Sequence, residues 1–188
     1  MSLVPAKDTT IIQGTNPNGQ LANGLGDLFS GRTNQDGQAP ATISIRRSLI
    51  YFDIAAAVPS WATITGVELR MRDVMGLNGD NLTTLHRVQQ NWGDGTSFQG
   101  GGMGSAATLN DATWLYTFFN PAAPTSSPMW NNAGGDFDAA VSGSAIVSDD
   151  LGGGQFFNWL GAGMITDVQN WLDNPATNFG WLIHGDES

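Results

Sequence analysis

The residue types able to do chemistry in this chain are aspartates, arginines and tryptophans. Of its 17 acidic residues only Glu68 and Glu187 are glutamates. The aspartates crowd into turns. "GGDFDAA" carries Asp136 and Asp138 two positions apart, and "NGDN" carries Asn78, Asp80 and Asn81. Short acidic side chains and turn carbonyls of this kind are ligands for a hard cation, and Ca2+ is the cofactor they suggest. Neither stretch completes a D-x-[DN]-x-[DN]-G-x5-E loop, so a solvated aspartate turn is the competing explanation at each.

Seven tryptophans are many for 188 residues. Trp61, Trp171 and Trp181 stand in apolar patterns and read as core. Trp92, Trp114 and Trp130 stand in polar, glycine-rich surroundings. Two readings are open for these three: partly exposed rings that stack on sugar faces, with neighbouring Asp, Asn and Gln bonding the hydroxyls, or plugs for the ends of the fold beneath long loops. Arg70 and Arg72, two apart, share the outward face of one strand, while Arg46 and Arg47 point to opposite faces. Guanidinium forks bind carboxylates bidentately, which suits an anionic glycan. The competing explanation is pairing with the chain's own acids, such as Asp53 and Asp73.

Other chemistry finds little support. The two histidines, His86 and His184, stand far apart in apolar strand-like runs and read as ordinary strand residues. There is no G-x-S-x-G elbow and no H-E-x-x-H. The glycines of "LGGGQ" (residues 151–155) do not open a helix after a strand, and no P-loop lysine follows them. The expected protein is not an enzyme. Its net charge of −10, with one lysine and six arginines, disfavours nucleic acid as a partner. Cysteine is absent, which removes disulfides and thiolate chemistry. No apolar run approaches the roughly 20 residues of a membrane span, and "MSLVPAKDTT" does not read as a signal peptide.

The elements that must position these residues are mostly strands. With 25 Gly, 8 Pro and abundant Asn and Asp, the composition favours many turns over long helices. Expected strands are Asp8–Ile12, Ala41–Ile54, Ala62–Val74, Thr83–Gln89, Ser142–Ser148, Gly154–Leu160 and Phe179–His184. In the third, Val67, Leu69 and Met71 alternate with Glu68, Arg70 and Arg72, the period of a half-buried strand. One short helix is expected in "TDVQNWLDN", capped by Thr166, with Asp167 at its N-terminus, an apolar side of Val168, Trp171 and Leu172, and Pro175 ending it. The glycine-rich segment Gly93–Thr113 reads as a long loop crossing the fold. The whole predicts one all-β domain over residues 1–188, an antiparallel β-sandwich or jelly roll with one short helix near the C-terminus.

Six stretches, in this order, carry a resemblance: "RRSLIYFDI" with "VPSWATITGVELRMR", then "HRVQQNWGDGTS", "DATWLYTFF", "WNNAGGDFD" and "DVQNWLDNPATNFGWLIHGDES". Together they resemble the DNRLRE family of secreted bacterial β-jelly-roll domains, which is similar to an alginate-binding carbohydrate-binding-module family. The resemblance spans Asp8 to Ser188. It implies a jelly roll and an extracellular or cell-surface location. By analogy with jelly rolls that hold a structural Ca2+ near their N-terminus, it adds Asp8 to Asp80, Asp136 and Asp138 as candidate ligands. Family members continue beyond a turn like "GDES" through an Arg-rich stretch to a further strand.

Two functions follow as expectations. The first is a non-catalytic extracellular interaction module that binds polysaccharide through Trp92, Trp114, Trp130, Arg70 and Arg72. The second is a self-assembling structural subunit of a surface layer, filament or virion, with copies of itself as partners. There the missing strand would be filled by "MSLVPAKD" of a neighbouring copy.

Overall fold

Runs such as "SLIYF" and "WLI" have no polar alternation, so a strand built from them must be covered on both faces. The computed structural model, which describes residues 1–14, 20–33, 45–74, 79–148 and 154–188, provides that cover. Its strands are β1 (Lys7–Ile12), β2 (Leu21–Asn23), β3 (Gly31–Arg32), β4 (Ile45–Tyr51), β5 (Leu69–Arg72), β6 (Asn81–Arg87), β7 (Ser105–Ala106), β8 (Gly143–Val147), β9 (Phe156–Trp159) and β10 (Trp181–His184). A short α1 (Ile54–Ala57) and the longer α2 (Ala162–Asp173) complete the regular elements, beside two single 3-10 turns. The large sheet runs β7-β2-β1-β4-β10-β6-β8, with β3 also paired to β4, and a second sheet pairs β5 with β9. Every pairing is antiparallel. The fold is an all-β sandwich with one substantial helix among the described residues.

Alternation along the central strands splits the core in two. Ile50, Trp181, Ile183 and Leu85 face the β5–β9 sheet and α2, where Leu69, Trp159, Met164, Val168, Trp171 and Leu172 meet them. Ile11, Leu49 and Leu182 face the other way, onto Val88, Trp92, Ala112, Trp114 and Trp130. These last five come from the long connection after β6, so loop residues form the second cover. Gly93–Thr113 thus crosses the sheet as expected and holds only β7 as regular structure.

Several expected boundaries shift, each for a tertiary reason. The strand expected over residues 41–54 is observed as β4, its first four residues lying outside the described ones. Asp53 stops it by capping α1, its carboxylate accepting the Ala56 N–H at 3.2 Å. Of Ala62–Val74 only Leu69–Arg72 is strand. The residues before it lie along α2, where Gln169 accepts the Ile64 N–H and donates to the Ala62 carbonyl in place of a ladder.

The helix begins at Ala162, five residues earlier than a Thr166 cap implies, so Thr166 is not its cap. Thr166 sits inside α2 and donates back to the Ala162 carbonyl at 3.3 Å. Gly161 and Gly163 allow the earlier start, because a Cβ on either would strike the Ser142 backbone. Asp167 is buried rather than set at a helix terminus, and accepts Ser142 Oγ at 2.5 Å and Trp181 Nε1 at 2.9 Å. Trp61, expected in the core, is 84% exposed. It follows Pro59 in a turn closed by Ala62 N–H to the Pro59 carbonyl, and that turn projects its ring outward.

Both chain ends are held. Leu3 packs against the helix-side core, and the Ala6 N–H donates to the Tyr51 carbonyl, extending the β1–β4 ladder. The β10 strand lies mid-sheet, paired to β4 on one side and β6 on the other. The residues after it clasp the body: the Arg32 N–H donates to the Asp186 carbonyl, and Glu187 pairs with Arg47 at 2.7 Å and His184 at 3.2 Å.

Candidate functional site

The small β5–β9 sheet turns one face to the core and the other to solvent. Leu69 and Met71 alternate with Arg70 and Arg72 on β5, while Phe157 and Trp159 alternate with Phe156 and Asn158 on β9. Register sets Arg70 opposite Asn158 and Arg72 opposite Phe156. The outer face therefore collects Arg70, Arg72, Phe156 and Asn158, all exposed. The Arg70 guanidinium lies 4.2 Å from the Phe156 ring centroid, a cation–π contact, and the ring remains 57% exposed. Arg72 donates through Nε to the Gly154 carbonyl at 3.1 Å. Gly154 has φ +69°, and a side chain there would strike that guanidinium.

Charge pairing elsewhere sets these two arginines apart. Arg47 pairs with Glu187, and Arg87 with Asp138 at 2.7 Å. Arg70 and Arg72 form no ion pair with a carboxylate among the described residues. Of the two acids expected as alternative partners, Asp53 caps α1 by accepting the Ala56 N–H, and Asp73 follows β5 with its N–H donated to the Gln155 carbonyl. Arg46 and Arg47 do lie on opposite faces. Arg46 is fully buried and donates to the Gly102 carbonyl, and Arg47 sits over the Trp114 ring at 4.9 Å.

Of the two readings open for Trp92, Trp114 and Trp130, the structure shows the second: all three are buried beneath the long covering loop and offer no ring face to a sugar. Trp92 is 1% exposed and donates through Nε1 to the Phe179 carbonyl at 2.8 Å. Trp130 donates to the Thr113 carbonyl at 2.9 Å, and Trp114 packs beside it. Trp92 and Trp130 thus satisfy their N–H groups inside the fold, and the Trp114 ring carries the Arg47 guanidinium. Polar sequence neighbours misled because the loop, not a strand, carries the second core. Phe156 and Asn158 were hidden in the opposite way. The run "FFNWL" is mostly apolar, which conceals that its odd and even positions separate into an inner and an outer set.

The aspartates named as candidate Ca2+ ligands stand at separate places in the fold, each in its own surroundings. Asp136 is buried, its carboxylate filled by donors from the Asn131 N–H at 2.6 Å, the Asn132 N–H at 2.9 Å, Asn132 Nδ2 at 2.7 Å and Gln90 Nε2 at 2.5 Å. It closes the "WNNAGGD" turn. Asp138 is taken by Arg87 and Gln89, whose hydrogen bonds outweigh its burial and hold its carboxyl below the usual range. Asp80 is exposed, and its expected companion Asn78 lies outside the described residues. Asp8 lies apart in β1, where burial first and Asp94 second raise its carboxyl. Among the described residues no group of three or more His, Asp or Glu side chains is placed to hold a metal.

Two histidines distant in the chain become neighbours because β6 and β10 pair. Their rings sit 5.9 Å apart, both beside Phe137. His86 Nδ1 lies 2.9 Å from the Asp138 carbonyl, which can only accept, so Nδ1 carries the proton and Nε2 accepts from Thr84 at 3.0 Å. Burial lowers the pKa of His86 and keeps this neutral form. A cleft of about 280 Å³ opens where Pro5–Asp8 approach Gly24–Gly26 and Asp94. Lys7 lines it, with Nζ 4.1 Å from the Trp92 ring centroid. Burial lowers its pKa to about 8, against the opposing pull of Asp94. No helix of the described residues is long and apolar enough to cross a membrane. No protein-family model and no curated protein matches the chain.

Proposed function

We propose that this domain is a non-catalytic binding module for an acidic polysaccharide, which it engages with the outer face of β5–β9. The observation that carries the reading is the pair Arg70 and Arg72, left without carboxylate partners among the described residues of a chain whose net charge is −10. Exposed guanidinium forks two positions apart on one strand stand about 7 Å from each other and can each take a sugar carboxylate. The exposed Phe156 ring supplies an apolar surface for a pyranose face, and Asn158 a donor and acceptor for hydroxyls. The likeness of the sequence to secreted jelly-roll domains supports an extracellular setting. A subunit that exchanged its N-terminal segment between copies would have to draw Leu3 from its seat in its own core.

Affinity electrophoresis tests the reading. Alginate, a polyuronate, should retard the protein in low salt, and a neutral glucan should not. The shift should fade as salt rises, since exposed ion pairs are screened. Arg70→Ala/Arg72→Ala should abolish retardation without changing the melting temperature, and Phe156→Ala should weaken it. Equal retardation of wild type and the double variant would sink the proposal.

A further inference from the structure

Three buried oxygens without partners lie close together on the loop-covered face of the large sheet. Asp111 is fully buried. Its Oδ2 accepts the Thr108 N–H at 2.5 Å and the Thr108 hydroxyl at 3.0 Å, but its Oδ1 has no partner in hydrogen-bond geometry. The Ser97 N–H and hydroxyl approach that carboxylate as hydrogen-bond donors and lower its pKa without outweighing its burial, although neither reaches Oδ1 in good geometry, and the Ser97 hydroxyl itself accepts the Gly24 N–H. Asp94 Oδ1 and Thr9 Oγ1 are likewise buried and unpartnered, and Thr9 is fully buried.

Topology makes these three neighbours. Asp94 and Asp111 stand directly opposite each other in an antiparallel bridge. The register of β1 with β2, Thr10 to Asn23 and Ile11 to Ala22, sets Thr9 beside Gly24 one step further on. Both point to the face that carries Ile11 and Ala22. A Cβ on Gly24 would run into the Asp94 carbonyl oxygen and lie 2.9 Å from Asp111 Oδ1, and one on Gly95 would strike Asp111 Oδ1 as well. Two glycines therefore leave open a small cradle lined by oxygen.

Such a cradle is costly when it holds nothing positive. Like charges directly opposite across a bridge repel, and a buried acceptor without a donor costs about 1–3 kcal/mol. Burial raises the carboxyls of both Asp94 and Asp111, and their mutual repulsion adds to the rise at Asp94. Lys7 acts on Asp94 at a distance, but its Nζ is tied to Asn91 Oδ1 and the Trp92 carbonyl. Hydroxyl, carbonyl and carboxylate oxygens with no nitrogen or sulfur are the donor set of a hard divalent cation that tolerates irregular geometry.

We propose that Asp94 and Asp111, with Thr9 Oγ1 and the Asp94 carbonyl, bind a structural Ca2+ that pins the long covering loop to β1 and β2. The site differs from the aspartate turns that the sequence suggests, and it is independent of the polysaccharide reading.

The test uses the whole chain, stripped with EDTA and dialysed free of chelator. Added Ca2+ should raise the melting temperature by roughly 5–10 °C at a hundredfold excess over Kd. Tb3+, a Ca2+ surrogate, should show luminescence sensitised by Trp92, two residues from Asp94. Asp111→Asn should remove both responses while melting no lower than the stripped wild type, because it relieves the facing charges. If Asp111→Asn fails to fold, Asp94→Asn takes its place with the same expectation. Asp136→Asn, which alters the 131–136 turn and its Gln90 contact away from the proposed site, should keep both responses. No thermal shift and no Tb3+ signal in wild type would overturn the proposal. So would full responses in Asp111→Asn and Asp94→Asn.

Discussion

Glu187 shows how much one side chain can do near a chain end. Its carboxylate is pushed up by burial, yet hydrogen bonds from Arg47 and His184 prevail and hold its pKa at about 2. Because the folded value lies below the ordinary 4.5, this contribution is complete above about pH 4.5 and is lost as pH falls toward 2. Glu187→Gln should destabilise the protein at pH 7 by on the order of 2 kcal/mol, and the difference should shrink through that window in urea titrations. A constant difference from pH 7 to pH 2 would show that the pair is not the cause. His86 acts in the same direction at higher pH: its folded pKa is lowered by burial, so stability falls as pH drops below about 6.5. Tryptophans make a second test. Trp92→Ala and Trp114→Ala should each cost about 3–5 kcal/mol, as loss of Trp171 should, whereas Trp61→Ala should leave the denaturation midpoint unchanged.

Helix α2 and the β5–β9 sheet are positioned by contacts that their own sequences do not announce. The close approach of α2 to β8 depends on Gly161 and Gly163 against Ser142, and on Asp167 bridging Ser142 and Trp181. A Gly163→Ala Cβ would stand 2.7 Å from Ser142 Cα, so the helix must move away. Helix propensity favours that substitution by about 1 kcal/mol. The expected outcome is nevertheless a net loss of stability, measured by thermal melts, and a gain would show that the interface yields easily. Asp167→Ala should be worse, because it strands two buried donors at once. The β5–β9 pair has only two strands and cannot stand alone in water. Its inner residues Leu69 and Trp159 tie it to the core, which is why the outer face can be given over to Arg70, Arg72, Phe156 and Asn158.

The protein as a body is two cores sharing one sheet. Strands β4 and β10 place alternate residues in each, with Leu49 and Leu182 on one side and Ile50, Trp181 and Ile183 on the other. Neither cover can detach without exposing strands on which the other depends. Unfolding should therefore be a single transition, with tryptophan fluorescence and far-UV circular dichroism coinciding in urea. Separate midpoints would mean that the loop cover melts before the helix side.

Local chemistry made much of this legible from residues alone. Period-2 alternation in "ELRMR" set Arg70 and Arg72 outward, and β-branched and apolar runs between Gly, Asn and Asp turns predicted an antiparallel β fold. Seven expected strands overlap seven of the observed ones, with β1 and β6 beginning one and two residues earlier than expected, and the missed β2, β3 and β7 are two or three residues long, too short for periodicity to register. What the sequence could not reveal depends on which distant segments meet. Trp92, Trp114 and Trp130 lie in polar loops and are buried because those loops fold over a sheet face that needs cover. Trp61 lies among apolar residues and is exposed because its turn finds nothing to pack against. Asp94 faces Asp111, and His86 meets His184, only because chain pairing brings them together. Burial and charge proximity are properties of that pairing, and local composition carries no record of it.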